Sequence, residues 1–397
     1  MDDARIIYVH TGIWPSPSPS TVFVTGTAFG LANQVPTTLI VRTTSLDSTE
    51  TIFHSISGTK LPDTLEIIRM GYEDRLPGHT AFFIKAVRLI GQRAAAGKVR
   101  AVITRNMGFL PFMLYLRRRF RIPCFFETHD FYGDFTLRSD LKKTPGILKK
   151  HWYERLFLPR LDGIICLTEP QAACFRKRYP NIPCLVANTG LFRVEQLKTA
   201  RMKRVCYIGS LDPHKGLGTA LSALKQTANT ELRLLVVGGK SDHEKQVFNN
   251  FAHLVGVGDR VDVMGWLRHA DLGHVINTCI AGLVPLRDTP FNRYITSPLK
   301  ILDCLANGLP VIASNLPSVR EYLTDGKTGL LFEPDNAEHL SQTLDRYCAG
   351  DFYALMAPNV VASAQAFLWT ARGEKIVRFL NNTGDITEKT GESTKAE

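Results

Sequence analysis

The stretch "RVCYIGSLDPHKGL", residues 204–217, decides how this chain is read. An apolar run, Arg204-Val205-Cys206-Tyr207-Ile208, stops at Gly209. A lone lysine, Lys215, follows beside Gly216, where a helix is expected to begin. A strand, a loop and a helix start carrying a lysine predict an anion site, because the first turn of a helix has unpaired N–H donors. Three common forms of such a site do not fit. A Walker A loop needs GxxxxGK[ST], which neither "GSLDPHKG" nor "GQRAAAGKV" (91–99) supplies. A dinucleotide fingerprint needs GxGxxG after a strand, and "GLGTAL" and "GVGDRV" both miss it. No DxD occurs in the chain, which argues against a metal held by such a carboxylate pair. What remains is a diphosphate bound by one lysine and by backbone N–H groups, without metal.

The 397 residues are enough for two domains, each with its own core, and a hydrophobic fraction of 44% is that of a globular protein. No run approaches the roughly 18 to 20 apolar residues of a membrane span. The start, Met1-Asp2-Asp3-Ala4-Arg5, is acidic and leads into a strand, unlike a signal peptide. The eight cysteines form no CxxC pair and sit in apolar runs such as "GIICLT" and "RVCYIG", so they are expected to be reduced, buried and without metal. That usage predicts a cytoplasmic location.

The net charge of +11 is lopsided. Residues 1–200 carry 27 Lys and Arg against 16 Asp and Glu, whereas residues 201–397 carry 21 of each. Within 85–160 the count is 17 against 5. One half therefore presents a basic face, suited to an anionic membrane surface or an acidic substrate, or merely solvated. No zinc-finger spacing or RNP-like aromatic motif accompanies it, so nucleic acid is not the expected partner.

β-branched runs alternate with amphipathic stretches along nearly the whole chain, the pattern of parallel sheets with crossover helices. Strands are expected near 5–10, 36–42, 65–69, 100–104, 122–127, 162–167 and 183–187, then near 204–208, 231–237, 260–263, 280–284, 310–313 and 329–332. Two doubly wound units follow: an N-terminal domain over 1–190, a linker over 191–203 and a C-terminal domain over 204–352. A helix over 353–381 is expected to return to the N-terminal domain, and 382–397, polar and without aromatics, to be disordered. Ligands of such sheets bind at the carboxyl ends of the strands, so a cleft between the domains is the expected active site.

A second stretch, "SPLKILDCLANGLPVIAS" (297–314), starts a helix with proline at its first position. That helix start offers further N–H donors, and Asp303 is placed to accept from a ribose hydroxyl. Together with "GSLDPHKG", "WL" (266–267) and "EYLTDGKTGLLFEPDN" (321–336), it resembles the retaining glycosyltransferases of family 4, which have the two-domain GT-B fold. "VITRNMGFLPFMLYLRRRFRIPCFFETHDF" resembles, more weakly, that family's segment with the acceptor-side histidine. The resemblance covers residues 5–380 and is more specific in the C-terminal half.

The resemblance implies an α/β GT-B enzyme that moves a sugar from a nucleotide-sugar donor to a sugar or lipid-linked acceptor, with retention and without a metal or cofactor. It implies that Lys215 contacts the donor diphosphate, with Gly209 and Ser210 in the preceding loop. Ser297, Pro298, Leu299 and Lys300 would serve the same diphosphate from the helix start. Trp266 and Leu267 would lie near the base, Asp303 at the ribose, and Glu321 where a helix and turn close the site. His129, in "FETHDF", would lie by the transferring sugar and steady developing positive charge, and Gly12, in "TGIWPSPSPST" (11–21), would meet phosphate or acceptor. Of the other ten histidines, His10 and His79 are assigned no role. Two positions depart from the family: Ser210 stands where an arginine is usual, and Ile295 and Asp303 stand where two glutamates are. Ser210 and Ile295 keep open a weakened nucleotide-binding partner subunit, and the fold itself keeps open a nucleotide-sugar epimerase or hydrolase.

"LKKTPGILKKHWYERLFLPR" (141–160) sets Ile147, Leu148, Trp152, Leu156 and Phe157 at helical spacing among six basic residues. Such a helix either lies on an anionic membrane surface, peripheral to the cytoplasmic face, or packs its apolar stripe on its own sheet.

Overall fold

The computed structural model describes residues 4–16, 18–71, 79–195, 201–212, 215–265, 267 and 269–393, with no side-chain detail at 269–270 or beyond 383. In chain order the first elements are β1 (Arg5–Ile13), α1 (Pro19–Ala32), β2 (Thr37–Thr43), α2 (Thr49–Ser57), β3 (Leu65–Gly71), α3 (Thr80–Ala95), β4 (Val99–Thr104), α4 (Leu110–Phe120), β5 (Cys124–Glu127), α5 (Pro145–Phe157), β6 (Gly163–Cys166), α6 (Glu169–Arg178) and β7 (Cys184–Val186). The second series is β8 (Arg204–Ile208), α7 (Leu217–Gln226), β9 (Arg233–Val237), α8 (Asp242–Val255), β10 (Val261–Val263), α9 (His269–Ile276), β11 (Ala281–Val284), α10 (Pro290–Tyr294), α11 (Leu299–Ala306), β12 (Val311–Ser314), α12 (Pro317–Arg320), β13 (Gly329–Phe332), α13 (Ala337–Ala349) and α14 (Phe352–Ala364). A final helix is α15 (Trp369–Ser393).

The chain divides into two compact units, 1–192 with 368–397, and 193–367. The first holds a seven-stranded sheet in the order β3-β2-β1-β4-β5-β6-β7, the second a six-stranded sheet in the order β10-β9-β8-β11-β12-β13. All pairings are parallel. Strands covered on both faces must be apolar along their length. Ile6, Ile7, Tyr8 and Val9 of β1 are accordingly all fully buried, as are all four residues of β11 and β12. Helix starts follow local chemistry: Ser48, Thr144, Thr168 and Ser241 each accept a backbone N–H as N-caps.

Each sheet reverses its winding once, between β1 and β4 and between β8 and β11. Such switch points open a crevice at the carboxyl ends of the strands, where doubly wound sheets take ligands.

Several expectations are corrected. α2 and α10 are additional helices, short at nine and five residues. The helix expected over 353–381 is two helices, interrupted at 365–368 where Leu368 bridges to Leu191. The first of them belongs to the second unit. The linker expected over 191–203 is mostly attached: Leu191 and Phe192 join the first unit, while the Glu195 N–H donates to Ala306 (2.6 Å) and Met202 N–H to Thr278 (2.8 Å) in the second. Residues 196–200 lie outside the described residues. The tail expected to be disordered from 382 is helical to Ser393. Polar composition denies a segment a core, yet a helix already nucleated gains one hydrogen bond per added residue.

α15 is held to the first unit by a close helix crossing and a buried ion pair. A Cβ on Gly30 of α1 would lie 1.9 Å from the Trp369 carbonyl, and one on Gly373 would lie 2.0 Å from the Gly30 carbonyl, so only glycines permit this approach. Arg372, 3% exposed, donates to the fully buried Glu127 at 2.5 Å and to the carbonyls of Ala187 and Asn188. Removing Arg372 leaves the buried Glu127 only the Tyr8 hydroxyl and the more distant Arg105, and breaking such a buried pair costs about 3–5 kcal/mol. Arg372→Met is therefore expected to lower the first unit's urea-unfolding free energy by about that amount. An unchanged midpoint would show that the pair does not anchor α15.

Candidate functional site

In the second unit the loop after β8 and the start of α11 bring three expected residues together. Gly209 adopts φ +140°, in the region that favours glycine, and its N–H pairs with the Val237 carbonyl at 2.9 Å. A Cβ there would stand 3.0 Å from the Lys300 ammonium. Gly216 is at φ +77°, and a Cβ would fall 1.6 Å from the carbonyl of Pro285, the residue after β11. The glycines thus press the Lys215 loop onto the β8/β11 switch point. Lys300 Nζ lies 4.0 Å from the centre of the Tyr207 ring. Tyr207 in turn donates its hydroxyl to the Ser210 carbonyl at 2.7 Å.

Lys300 is held in a poor setting for a cation. Loss of water first, and then the neighbouring Lys215 charge, lower its pKa to about 7, against the opposing pull of Asp303. Two lysines this close repel, and an anion between their ammonium groups would relieve the repulsion.

The other expected residues are placed as follows. Pro298 takes the N-cap position of α11 and is buried; Leu299 opens the helix. Ser297 Oγ is 2.7 Å from the Tyr322 hydroxyl, so its hydroxyl is engaged with that ring. Asp303, half-buried one turn into α11, lies near enough to Lys300 to act on its charge. Glu321 and Leu267 are half-buried, Glu321 just past α12. Trp266 lies outside the described residues. Ile295 is 1% exposed in the core, so this position offers no group to a ligand.

In the first unit His129 lies two residues past the end of β5. Its side chain is exposed, yet desolvation, with the Arg105 charge next, holds its pKa well below the usual histidine range, so the ring is neutral at pH 7. Gly12 lies within β1, two residues after His10. A Cβ on it would overlap His10 Nε2 at 2.2 Å, so its bareness makes room for the His10 ring. His10, unassigned from sequence, is brought beside His129. Desolvation, then Arg105, then His129 itself depress its pKa to about 3. Arg105 was also missed, and the signal was available: "VITRN" places an arginine directly after the strand at the β1/β4 reversal.

Among the described residues no three His, Cys, Asp or Glu side chains cluster as a metal seat. All eight cysteines are free, and no described helix is long and apolar enough to cross a membrane.

Residues 202–349 match the family described as Glycosyl transferases group 1. The D-inositol 3-phosphate glycosyltransferase of Frankia alni is 25% identical over 182 residues, 43% of this chain and 43% of the relative. The matched region thus spans less than half of that curated relative's length. Among solved structures, sucrose-phosphate synthase from Thermosynechococcus elongatus superposes with a TM-score of 0.71 at 18% identity, covering 96% of this chain and 98% of the other. Anabaena HepE in complex with UDP-glucose gives a TM-score of 0.68 at 14% identity, covering 95% and 99%. At such identities the likeness speaks for the fold. The chain has the GT-B fold of two Rossmann-like domains, and its residues 202–349 are similar to the group 1 glycosyltransferases.

Proposed function

We propose that this protein is a retaining glycosyltransferase that takes its sugar from a nucleotide-sugar and holds the diphosphate without metal. The observation that carries this reading is Lys300, whose ammonium stands at the bare backbone of Gly209 on the β8/β11 switch point and feels the charge of Lys215. Charge builds on the leaving diphosphate as the glycosidic bond breaks, and preorganised cations count most at such a site. Lys300 supplies the second positive charge that Ser210, in place of the family's arginine, does not. Backbone N–H groups at the start of α11 add to it. Asp303 is assigned to the ribose and Leu267 to the base. A UDP donor finds support in the UDP-glucose bound by the Anabaena neighbour.

The acceptor side is assigned to the first unit. A neutral His129 is suited to hydrogen-bond a sugar hydroxyl and poorly suited to carry a proton away, so the departing phosphate is the group that receives the acceptor's proton. Retention follows when both events share one face of the sugar.

α5 speaks for a membrane-presented acceptor. Its inward face is polar: His151 is buried with Nδ1 2.5 Å from the Tyr132 carbonyl, and the fully buried Glu154 accepts the Tyr132 N–H at 2.7 Å. Of the apolar stripe, Leu148 (37%), Trp152 (62%) and Leu156 (51%) are exposed, while Ile147 and Phe157 are half-buried. Lys142, Lys143, Lys149, Lys150, Arg155 and Arg160 are exposed around it. Beside it Tyr115, Arg118, Arg119 and Phe157 line a groove of about 470 Å³. An apolar stripe ringed by cations fits the interface of an anionic membrane, peripheral on its cytoplasmic face.

Lys215→Ala is expected to cut turnover by roughly 10²–10³ with little effect on folding, since one preorganised charge at a developing anion is lost. Near-normal turnover of the purified variant would remove Lys215 from the site. The transferase should release nucleoside diphosphate only when acceptor is present, and should do so in a chelator. Release without acceptor would mark a hydrolase, and no release at all a partner subunit. Vesicles with anionic lipid should bind the protein reversibly and salt-sensitively, and replacing the four lysines of 142–150 by glutamine should weaken this by about 1 kcal/mol each. Equal partition onto neutral vesicles would point to a soluble acceptor.

A further inference from the structure

His129 stands on a short span of chain that is fixed at both ends. Before it, the buried Thr128 ties its N–H to the Ile165 carbonyl of β6 at 2.9 Å. After it, Phe131 is buried edge-on against Phe175 of α6, with ring centres 4.9 Å apart. Tyr132 is then gripped by α5 through both of its backbone groups. Its N–H donates to Glu154 Oε2 at 2.7 Å, and its carbonyl accepts from His151 Nδ1 at 2.5 Å. The grip is close-fitting. A Cβ on Gly133 would lie 2.5 Å from Glu154 Oε1 and 2.6 Å from the Tyr179 hydroxyl, which itself reaches that oxygen at 3.2 Å. The Phe135 ring stacks on His151, with centres 4.6 Å apart.

Glu154 is fully buried, and no ion pair reaches it among the described residues. A buried carboxyl without a counter-charge costs stability that an apolar side chain at the same place would spare. What it supplies instead is direction. Two hydrogen bonds from one helix fix the angle of the Tyr132 backbone, where apolar contacts alone would let it slide. The His129 ring, by contrast, is held by no hydrogen bond among the described residues, so its placement is inherited from the backbone on either side.

We propose that Glu154 and His151 are positioning residues, which act through Tyr132 to hold the His129 ring at the carboxyl end of β5 in the pose that meets the sugar. Both side chains are buried, so they work on the backbone and not on the sugar. The proposal rests on the acceptor-side reading for what His129 touches, and not for how it is held.

The test is a pH titration of the full chain followed by histidine NMR, with His129→Gln identifying the signal. Loss of water first, and then the Arg105 charge, set the His129 pKa at about 4, with Asp130, Lys150 and Glu127 acting on it from around and His10 beside it. Glu154→Ala leaves the Tyr132 N–H without its acceptor, and the loosened segment admits water to the ring. The His129 pKa should then rise from about 4 toward the ordinary 6.5. Glu154→Gln should leave it near 4, because the amide oxygen accepts the same N–H. Burial pushes the Glu154 carboxyl up to about 8, so it is uncharged where His129 titrates, and neither exchange removes a charge from the ring's surroundings. Should Glu154→Ala not fold, Glu154→Leu fills the space and still leaves the N–H unpaired. A folded Ala or Leu variant whose His129 titrates as in the wild type would overturn the proposal. So would a Gln variant that shifts as far as Ala, or a wild-type His129 that titrates near 6.5. Turnover enters none of these outcomes. The acceptor-side reading falls separately, if His129→Gln leaves sugar transfer intact.

Discussion

A parallel sheet sends the carboxyl end of every strand to one edge, and where its winding reverses no crossover covers that edge. This constraint acts twice in the chain, at β1/β4 and at β8/β11. Both points collect positive charge on short loops. In one unit Arg105 and His10 stand at the reversal, in the other Lys215 and Lys300. The glycines beside them are bare for a steric reason: Gly12 yields to the His10 ring, Gly209 to the Lys300 ammonium and Gly216 to the Pro285 carbonyl. Backbone and charge are therefore arranged together.

Such arrangements oppose stability. A dewatered Lys300 next to Lys215, and a buried Arg105 with half a counter-charge, each cost folding energy that a neutral packing would spare. The rest of the fold carries them on strongly determined elements. α15 returns to the first unit through the Gly30–Gly373 contact and the Arg372–Glu127 pair, so the carboxylate that faces Arg105 is fixed from behind. The strain sits where chemistry would use it.

Much of this was legible in the residues. The thirteen strands of the described residues lie where the apolar runs put them, most clearly the central ones, because strands buried on both faces have few ways to be written. The Gly209–Lys215 loop and the Ser-Pro helix start were readable as local chemistry. What sequence could not supply was the sum of distant neighbours. Nothing in "SPLK" shows that Lys300 meets the Tyr207 ring, which decides its proton affinity. Nothing in "VHTG" shows that His10 stands beside His129. Helical spacing in 145–157 fitted either a packed or an exposed stripe, and only the buried polar pair His151 and Glu154 shows which side faces inward. The tail misled because its composition speaks of packing, while a helix needs only its own backbone.

The central claim is that Lys215 and Lys300 form a metal-free seat for a diphosphate. The most direct test is calorimetric titration with UDP, GDP and ADP near pH 8, in chelator and in two buffers of different ionisation enthalpy. Free Lys300, with its pKa near 7, is mostly neutral there, and an anion at its ammonium raises that pKa. The account predicts that at least one nucleoside diphosphate binds with net uptake of protons, and that Lys300→Met abolishes the uptake. Binding that needs a divalent metal, or uptake unchanged in Lys300→Met, would contradict it.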